Sequence, residues 1–229
     1  MRKGENVINA KRVTLFAGHY GSGKTNVAVN FSLFLKNNEK QVSIYDLDIV
    51  NPYFRTIDAK SMLDKFGIDV VVSKYAETNV DIPALNSASY KMIDDKSRYA
   101  VVDVGGDDRG ALALGRFAEG IVTEDNYDML FVVNKYRPET RDIKSAIQIL
   151  QEIEFSGKIK FTGIVNNSNL GIETTKETIT SSIDFVNELS KACNLPIKFT
   201  AIRKDLAEEL KNTINNVLPI ELIKYGDWL

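Results

Sequence analysis

The segment from Gly18 to Thr25 constrains this chain more than any other. It reads Gly-His-Tyr-Gly-Ser-Gly-Lys-Thr, which fits the phosphate-binding pattern G-x-x-x-x-G-K-[ST]. An apolar run at 13–17 precedes it and a helical pattern at 26–36 follows it, so the required strand-loop-helix context is present. The sequence therefore predicts a P-loop that binds a nucleoside triphosphate.

Each residue type in this loop has a physical role toward a polyphosphate. Three glycines allow the backbone to turn its N–H groups inward, and the following helix adds the positive end of its dipole. We expect Lys24 to bind the β and γ oxygens and to stabilise the charge that develops during hydrolysis, and Thr25 to hold Mg²⁺ through its hydroxyl. The predicted nucleotide contacts of the loop are Gly18, Gly21, Ser22, Gly23, Lys24, Thr25 and Asn26.

Composition favours one compact domain over residues 1–229. The chain is 44% hydrophobic and has no Pro/Gly/Ser-rich linker, which is enough apolar content for a full core. A formal net charge of −2 gives no electrostatic case for a constitutive polyanion binder. The N-terminus lacks the apolar core of a signal peptide and no 18 apolar residues run together, so we expect a cytoplasmic protein without integral membrane insertion.

Short β-branched runs alternate with longer helical patterns along the chain. Strands that are apolar on nearly every residue are buried on both faces. The fold class predicted is therefore α/β, a three-layer P-loop NTPase fold with a mostly parallel sheet and helices on both faces. The predicted strands are 13–17, 41–46, 68–72, 99–104, 129–133, 159–165 and 197–200, and the predicted helices are 26–36, 82–93, 111–123, 139–153, 175–193 and 204–223, the last broken at Pro219.

Carboxylates follow two of these strands. Asp46 ends the second strand and Asp48 stands two residues on, while Asp103 ends a later strand and is followed by Gly105-Gly106. In an open parallel sheet, ligands lie beyond the carboxyl ends of the strands, so both acids of the Asp46-Leu47-Asp48 run can face the γ-phosphate. We expect Asp103 to polarise a Mg²⁺-bound water and the Gly106 N–H to approach the γ-phosphate.

These motifs occur in a familiar order. The P-loop, Asp46-Leu47-Asp48 before Asn51-Pro52, Asp103-Val104-Gly105-Gly106 and Asn166-Asn167-Ser168 together resemble the ParA/MinD-like P-loop ATPases, which include the Mrp-like proteins and the nitrogenase iron protein. The resemblance implies ATP with Mg²⁺, slow hydrolysis, and a nucleotide-dependent homodimer that acts on a protein partner.

The resemblance also assigns roles to residues. It implies that Asp48 positions the attacking water, that Asp46 supports a metal also held by Thr25 and Asp103, and that Asn167, with Asn166 as the alternative, contacts adenine. Many members carry a signature lysine at the second loop position, where this chain has His19. Three arginines in segments flanking the γ-phosphate are weaker candidates for stabilising transition-state charge: Arg55, Arg109 and Arg116.

Other functions from the same superfamily stay open at this point. One is an ATP-dependent small-molecule synthetase of the dethiobiotin or cobyrinic acid synthetase type. Another is a ParA-like DNA-positioning ATPase, although the basic residues near the C-terminus form no dense cluster: Lys198, Arg203, Lys204 and Lys211. A GTPase is the least favoured, because the guanine-reading pattern Asn/Thr-Lys-x-Asp is absent from the sequence. We expect the apolar tail, 217–229, to pack on its own domain.

Overall fold

The computed structural model of the protein describes residues 8–47, 56–72, 87–106 and 108–223. The predicted catalytic Asp48, the Asn51-Pro52 pair and the candidate Arg55 lie outside these ranges, and the side chain of Arg109 is not among those described. Within the described ranges, no helix combines the length and the apolarity needed to cross a bilayer.

A parallel sheet of eight strands forms the centre of the described structure. Its strands are β1 (Val13–Ala17), β2 (Val42–Leu47), β3 (Asp69–Val72), β4 (Tyr99–Val104), β5 (Tyr127–Val133), β6 (Gly163–Asn166), β7 (Ile197–Arg203) and β8 (Val217–Ile220). They are ordered β3-β2-β4-β1-β5-β6-β7-β8, and every neighbouring pair is parallel. The predicted parallel α/β architecture is confirmed.

Helices cover both faces of this sheet. They are α1 (Lys24–Asn37), α2 (Lys60–Lys65), α3 (Ser87–Asp94), α4 (Asp108–Gly115), α5 (Ala118–Glu124), α6 (Ile143–Gly157), α7 (Lys176–Thr180), α8 (Ile183–Cys193) and α9 (Lys204–Leu210). Alternate residues of β1 supply the two apolar layers: Leu15 packs with residues of α4, α5, α6 and α8, and Phe16 packs with residues of α1 and α2. Burial on both faces explains why the central strands are apolar at nearly every position.

Aromatic packing fixes α1 on the sheet and so positions the loop before it. Phe31 of α1 stacks on Phe199 of β7 with ring centroids 5.8 Å apart, and it meets Phe16 of β1 edge-on at 5.2 Å. Offset and edge-on pairs of this kind add about 0.5–1.5 kcal/mol beyond area burial. The P-loop is therefore held at both ends, by a central strand and by an anchored helix.

Several predicted elements differ from the structure. The predicted helix 204–223 is wrong: α9 ends at Leu210 and residues 217–220 form β8. Pro219 lies opposite Ile202 of β7, and β8 ends the described sheet, where a proline costs no ladder hydrogen bond on its outer side. The predicted helices 111–123 and 175–193 are each two shorter helices, and the first half of the predicted strand 159–165 lies outside β6.

Strand order determines where the site lies. β1 is flanked by β4 on one side and β5 on the other. The strands up to β4 therefore lie on one side of β1, and the strands from β5 onward lie on the other. A crevice forms at such a switch point outside the carboxyl ends of parallel strands. The P-loop, Asp46, Asp103 and Asn167 all follow or end strands at this edge.

Candidate nucleotide-binding site

Glycine is required in the P-loop for two different reasons. Gly21 and Gly23 have φ of 76° and 86°, in the left-handed region that side chains with a Cβ avoid. Gly18 lies directly on β5, since a Cβ there would overlap the main-chain oxygen of Val132. These glycines allow a tight loop packed against the sheet.

The first turn of α1 is open toward the loop. Gly23 occupies its N-cap position, and no side chain caps the helix there. A helix N-terminus without a side-chain cap leaves main-chain N–H groups and the positive end of the dipole for an anion. Lys24 is only 5% exposed and its Nζ donates to the main-chain oxygen of His19 at 3.2 Å, so its charge lies folded over the loop.

Thr25 and Asn26 follow with different orientations. Thr25 is buried in the first turn, as expected for a side chain that faces the site. Asn26 instead accepts from Asn30 Nδ2 at 3.1 Å, and with its amide turned over it would donate to the Glu221 oxygen and accept from the Ile223 amide. In this conformation the predicted nucleotide contact of Asn26 can come only from its main chain.

Asp46 and Asp103 lie side by side. They are register partners on β2 and β4, and both are buried. Neighbouring residues in register project to the same face of a sheet, so the two carboxylates lie next to each other at its carboxyl edge. Together with the Thr25 hydroxyl, this all-oxygen donor set fits the preference of Mg²⁺ for hard ligands.

Gly106 brings the loop after β4 into contact with the P-loop. A Cβ on Gly106 would lie 2.7 Å from the Tyr20 amide nitrogen and 2.8 Å from Lys24 Nζ. The distances show that this loop passes directly over the position where the lysine charge lies. The arrangement is compatible with the predicted approach of the Gly106 N–H to a γ-phosphate.

Asn167 contacts the P-loop from the other side. Its Nδ2 donates to the Ser22 oxygen at 2.7 Å, and its side chain abuts Gly23. Its buried Oδ1 has no hydrogen-bond partner among the described residues, and the same is true of Ser22 Oγ. Buried polar atoms without partners cost about 1–3 kcal/mol, so both atoms are available for a ligand.

The alternative adenine contact, Asn166, has a structural role instead. Its Nδ2 donates to Ser182 Oγ at 2.9 Å, and its Oδ1 accepts from the Ser168 amide at 3.1 Å. These bonds tie β6 to the start of α8. The structure therefore places Asn167, and not Asn166, against the P-loop.

His19 and Arg116 make their side-chain contacts away from the paired carboxylates. His19 Nδ1 is 3.0 Å from the Tyr20 oxygen and 3.8 Å from Glu139 Oε2, so the ring faces the segment before α6. Arg116 lines an open surface groove with Tyr90 and Glu119, a groove to which the P-loop contributes no residue.

Two further residues at the site have no counterpart in the predicted set. Thr56, fully buried, donates through Oγ1 to Asp103 Oδ2 at 3.3 Å. Arg137 lies against the loop, because a Cβ on Gly21 would meet its Nε at 3.7 Å and its Cζ at 3.8 Å. Neither contact has a local sequence signal, since each joins residues that are distant along the chain.

Solved structures with the same fold include FtsY proteins. FtsY, the signal recognition particle receptor, from Elizabethkingia anophelis matches with a TM-score of 0.54 at 16% identity, over 86% of this chain and 61% of that chain. Chloroplast FtsY from Physcomitrella patens gives 0.54 at 17% identity, over 86% and 60%. The complex of the Elizabethkingia protein with GDP gives 0.52 at 13% identity, over 86% and 59%. The chain thus spans about three fifths of these proteins, and identities this low show a shared fold alone.

Sequence comparison gives a family. No curated protein matches the chain, but the family model of the CobQ/CobB/MinD/ParA nucleotide binding domain matches residues 13–175. The match begins at β1, includes the P-loop, both buried carboxylates and Asn167, and ends just before α7. It agrees with the resemblance drawn from the motifs, and the chain belongs to the CobQ/CobB/MinD/ParA family of P-loop nucleotide-binding domains.

Proposed function

We propose that this chain is a Mg²⁺-dependent ATPase whose nucleotide state controls its association with a protein partner. One observation carries the proposal: two buried carboxylates in register, Asp46 and Asp103, lie at the same sheet edge as a P-loop whose Lys24 Nζ would be 2.8 Å from a Cβ on Gly106. Paired carboxylates, a lysine and a closely packed glycine are groups that phosphoryl-transfer sites use, which supports the proposal.

Adenine is the proposed base. Asn167 has one buried oxygen without a partner among the described residues, and an amide oxygen can accept from the exocyclic amino group of adenine. The residues after β6 read Asn167-Ser168-Asn169-Leu170, with leucine where the guanine-reading pattern has aspartate. Because Asn167 Nδ2 is already bonded to Ser22, we assign the oxygen, rather than the whole amide, to the base.

Hydrolysis would follow from charge stabilisation around the γ-phosphate. Lys24, the α1 amides and the Gly106 N–H would bind the oxygens on which negative charge accumulates. Asp48 is proposed to orient the attacking water. The chemistry that Mg²⁺ supplies when bound to Thr25, Asp46 and Asp103 is neutralisation of charge on the β and γ oxygens.

A second copy of the chain is the proposed cover of this site. Tyr20 in the P-loop and Ile172 in the segment after β6 are large, apolar and exposed at the edge where nucleotide would bind. Two such faces meeting around two nucleotides would exclude water and strengthen every charge interaction there. ATP would then tighten a homodimer that recognises its protein partner in the cytoplasm, and hydrolysis would loosen it.

Calorimetry and light scattering together test this proposal. ATP with Mg²⁺ is titrated into the wild-type protein, and the mass of the Asp48→Ala variant is measured at several concentrations with and without ATP. We expect binding, and a two-fold rise in mass with ATP. Absence of binding contradicts the nucleotide assignment. Binding with an unchanged monomer mass contradicts the switch and favours the small-molecule synthetase, while ATP-dependent DNA binding that falls steeply with salt would favour a DNA-positioning role.

A further inference from the structure

A guanidinium lies beside Gly21 of the P-loop. Arg137 precedes α6, and its Nε, Cζ and Cδ are the three atoms nearest to a Cβ built on Gly21, at 3.7–4.0 Å. The side chain is exposed. The ion pairs among the described residues do not include Arg137; Glu139, two residues on, approaches His19 instead. A full positive charge therefore lies beside the phosphate-binding loop without a carboxylate of the described chain to balance it.

The backbone that carries Arg137 is held in place from several directions. Its N–H donates to the Asn134 oxygen at 3.1 Å, and its own oxygen accepts from the Thr140 amide at 3.0 Å. Thr140 Oγ1 also donates to the Asn134 oxygen at 2.6 Å. Pro138 follows and restricts Arg137 to the extended conformation seen, with φ −93° and ψ 135°.

The neighbouring side chains anchor this turn to the α7–α8 region. Tyr136 donates through its hydroxyl to the Thr178 oxygen at 2.6 Å, and Lys135 Nζ donates to the Ser181 oxygen at 2.8 Å. The two residues before Arg137 thus fix the position of the turn against the α7–α8 region. An arginine on such a support loses less conformational freedom on binding than one on a mobile loop.

We propose that Arg137 binds the phosphate chain of the nucleotide held by the same P-loop, a role that rests on the nucleotide-binding function proposed above. Lys24 supplies one cation from the first turn of α1, and Arg137 supplies a second beside Gly21. The second loop position, which faces the same segment, carries His19, whose side chain is shorter than that of an arginine. Arginine suits this position because its planar fork binds phosphate oxygens with two parallel hydrogen bonds.

Affinity measurements on four proteins test the assignment. ATP and ADP, each with Mg²⁺, are titrated by calorimetry into the wild type, Arg137→Met, Arg137→Lys and Arg141→Ala. The methionine keeps an unbranched stem over Gly21 and removes the charge. Arg141, an exposed arginine just before α6, controls for the loss of one positive charge from the same segment. Thermal melts confirm that each variant is folded.

The expected pattern separates charge from packing. Arg137→Met should weaken both nucleotides at least about fivefold, Arg137→Lys should lie between it and the wild type, and Arg141→Ala should stay within about twofold. If Arg137→Met binds like the wild type, or Arg141→Ala weakens binding equally, the assignment to Arg137 is overturned while the nucleotide site stands. If the wild type binds neither nucleotide, the proposed function fails and this inference fails with it.

Discussion

Replacing Gly106 with alanine tests whether the β4–α4 segment must lie directly against the P-loop. The new Cβ would be 2.7 Å from the Tyr20 amide nitrogen and 2.9 Å from its Cα. Both are main-chain atoms, so neither can rotate away as the end of a side chain could. The contact is about 0.7 Å shorter than the 3.4 Å at which ordinary van der Waals contact begins, and the two segments must separate.

The magnitude follows from this overlap. Forcing an extra methyl group into a packed contact costs about 1–3 kcal/mol. For a domain of this size each kcal/mol lowers Tm by about 2–4 °C, so Gly106→Ala should melt about 2–12 °C below the wild type. Moving the Gly106 N–H away from a γ-phosphate also loses a charged hydrogen bond of about 1.5–3 kcal/mol, which is about 10- to 150-fold in ATP affinity.

The assay pairs thermal melts with calorimetry using ATP and ADP. Because ADP lacks the γ-phosphate, its affinity should change much less than that of ATP. Gly157→Ala is the matched control: a Cβ at Gly157, the last residue of α6, would meet Leu114 Cδ2 at 3.4 Å and the Ala111 oxygen at 3.6 Å. The same added methyl group there makes ordinary contacts, and we expect Tm to stay within about 2 °C of the wild type.

Two results would refute this reasoning. A Gly106→Ala protein with the melting temperature of Gly157→Ala would show that the β4–α4 segment has room to move. Equal weakening of ATP and ADP would show that the main chain at Gly106 does not face the γ-phosphate, and its predicted role would have to be withdrawn.

Further substitutions test the rest of the site and one remote ion pair. Lys24→Ala should lose about 2 kcal/mol or more of ATP affinity by calorimetry, and wild-type affinity would contradict the P-loop assignment. Asp48→Ala should keep ATP binding while turnover falls at least about tenfold. ATP should outcompete GTP for a labelled analogue, and Asn167→Ala should reduce that preference. Hydrogen bonds from Arg12 hold the pKa of Glu124 below its ordinary value, so this pair stabilises the fold above the ordinary carboxyl pKa and its contribution is lost as the pH falls through the lowered one; Glu124→Gln should therefore reduce the fall in Tm on acidification, measured by thermal melts.

The sequence predicts the central strands well, because strands that are buried on both faces are made of consecutive apolar residues. β1 and β4 have the predicted bounds, 13–17 and 99–104. It brings two carboxylates together for a related reason: once the sheet is parallel, the carboxyl ends of β2 and β4 share an edge, and Asp46 and Asp103 are register partners there. Asn167 is implied by the family resemblance, and its side chain donates to the P-loop at Ser22.

Elements that depend on distant partners were harder to predict. Val217-Leu218-Pro219-Ile220 fits the edge of a helix as well as a short strand, and pairing with β7 decides in favour of β8. Residues 159–162 alternate apolar and polar side chains like a strand, yet the Phe161 amide donates to Glu154 Oε1 at 2.9 Å and the Met129 amide donates to the Thr162 hydroxyl. Side chains there take two amides that a longer β6 would need for its ladder.

The positions of the two unpredicted site residues also depend on partners that are distant in the sequence. Thr56 bonds to Asp103, 47 residues away in the sequence. Arg137 lies beside Gly21 although the two are separated along the chain by several strands and helices, including β5. Each comes from a segment between regular elements, whose path is set by bonds such as that of Thr140 to Asn134. A pattern of strand ends identifies the groups that a parallel sheet brings together. Groups on the intervening turns depend on the packing of those turns, and here that packing puts the Thr56 hydroxyl against Asp103 and the Arg137 guanidinium beside Gly21.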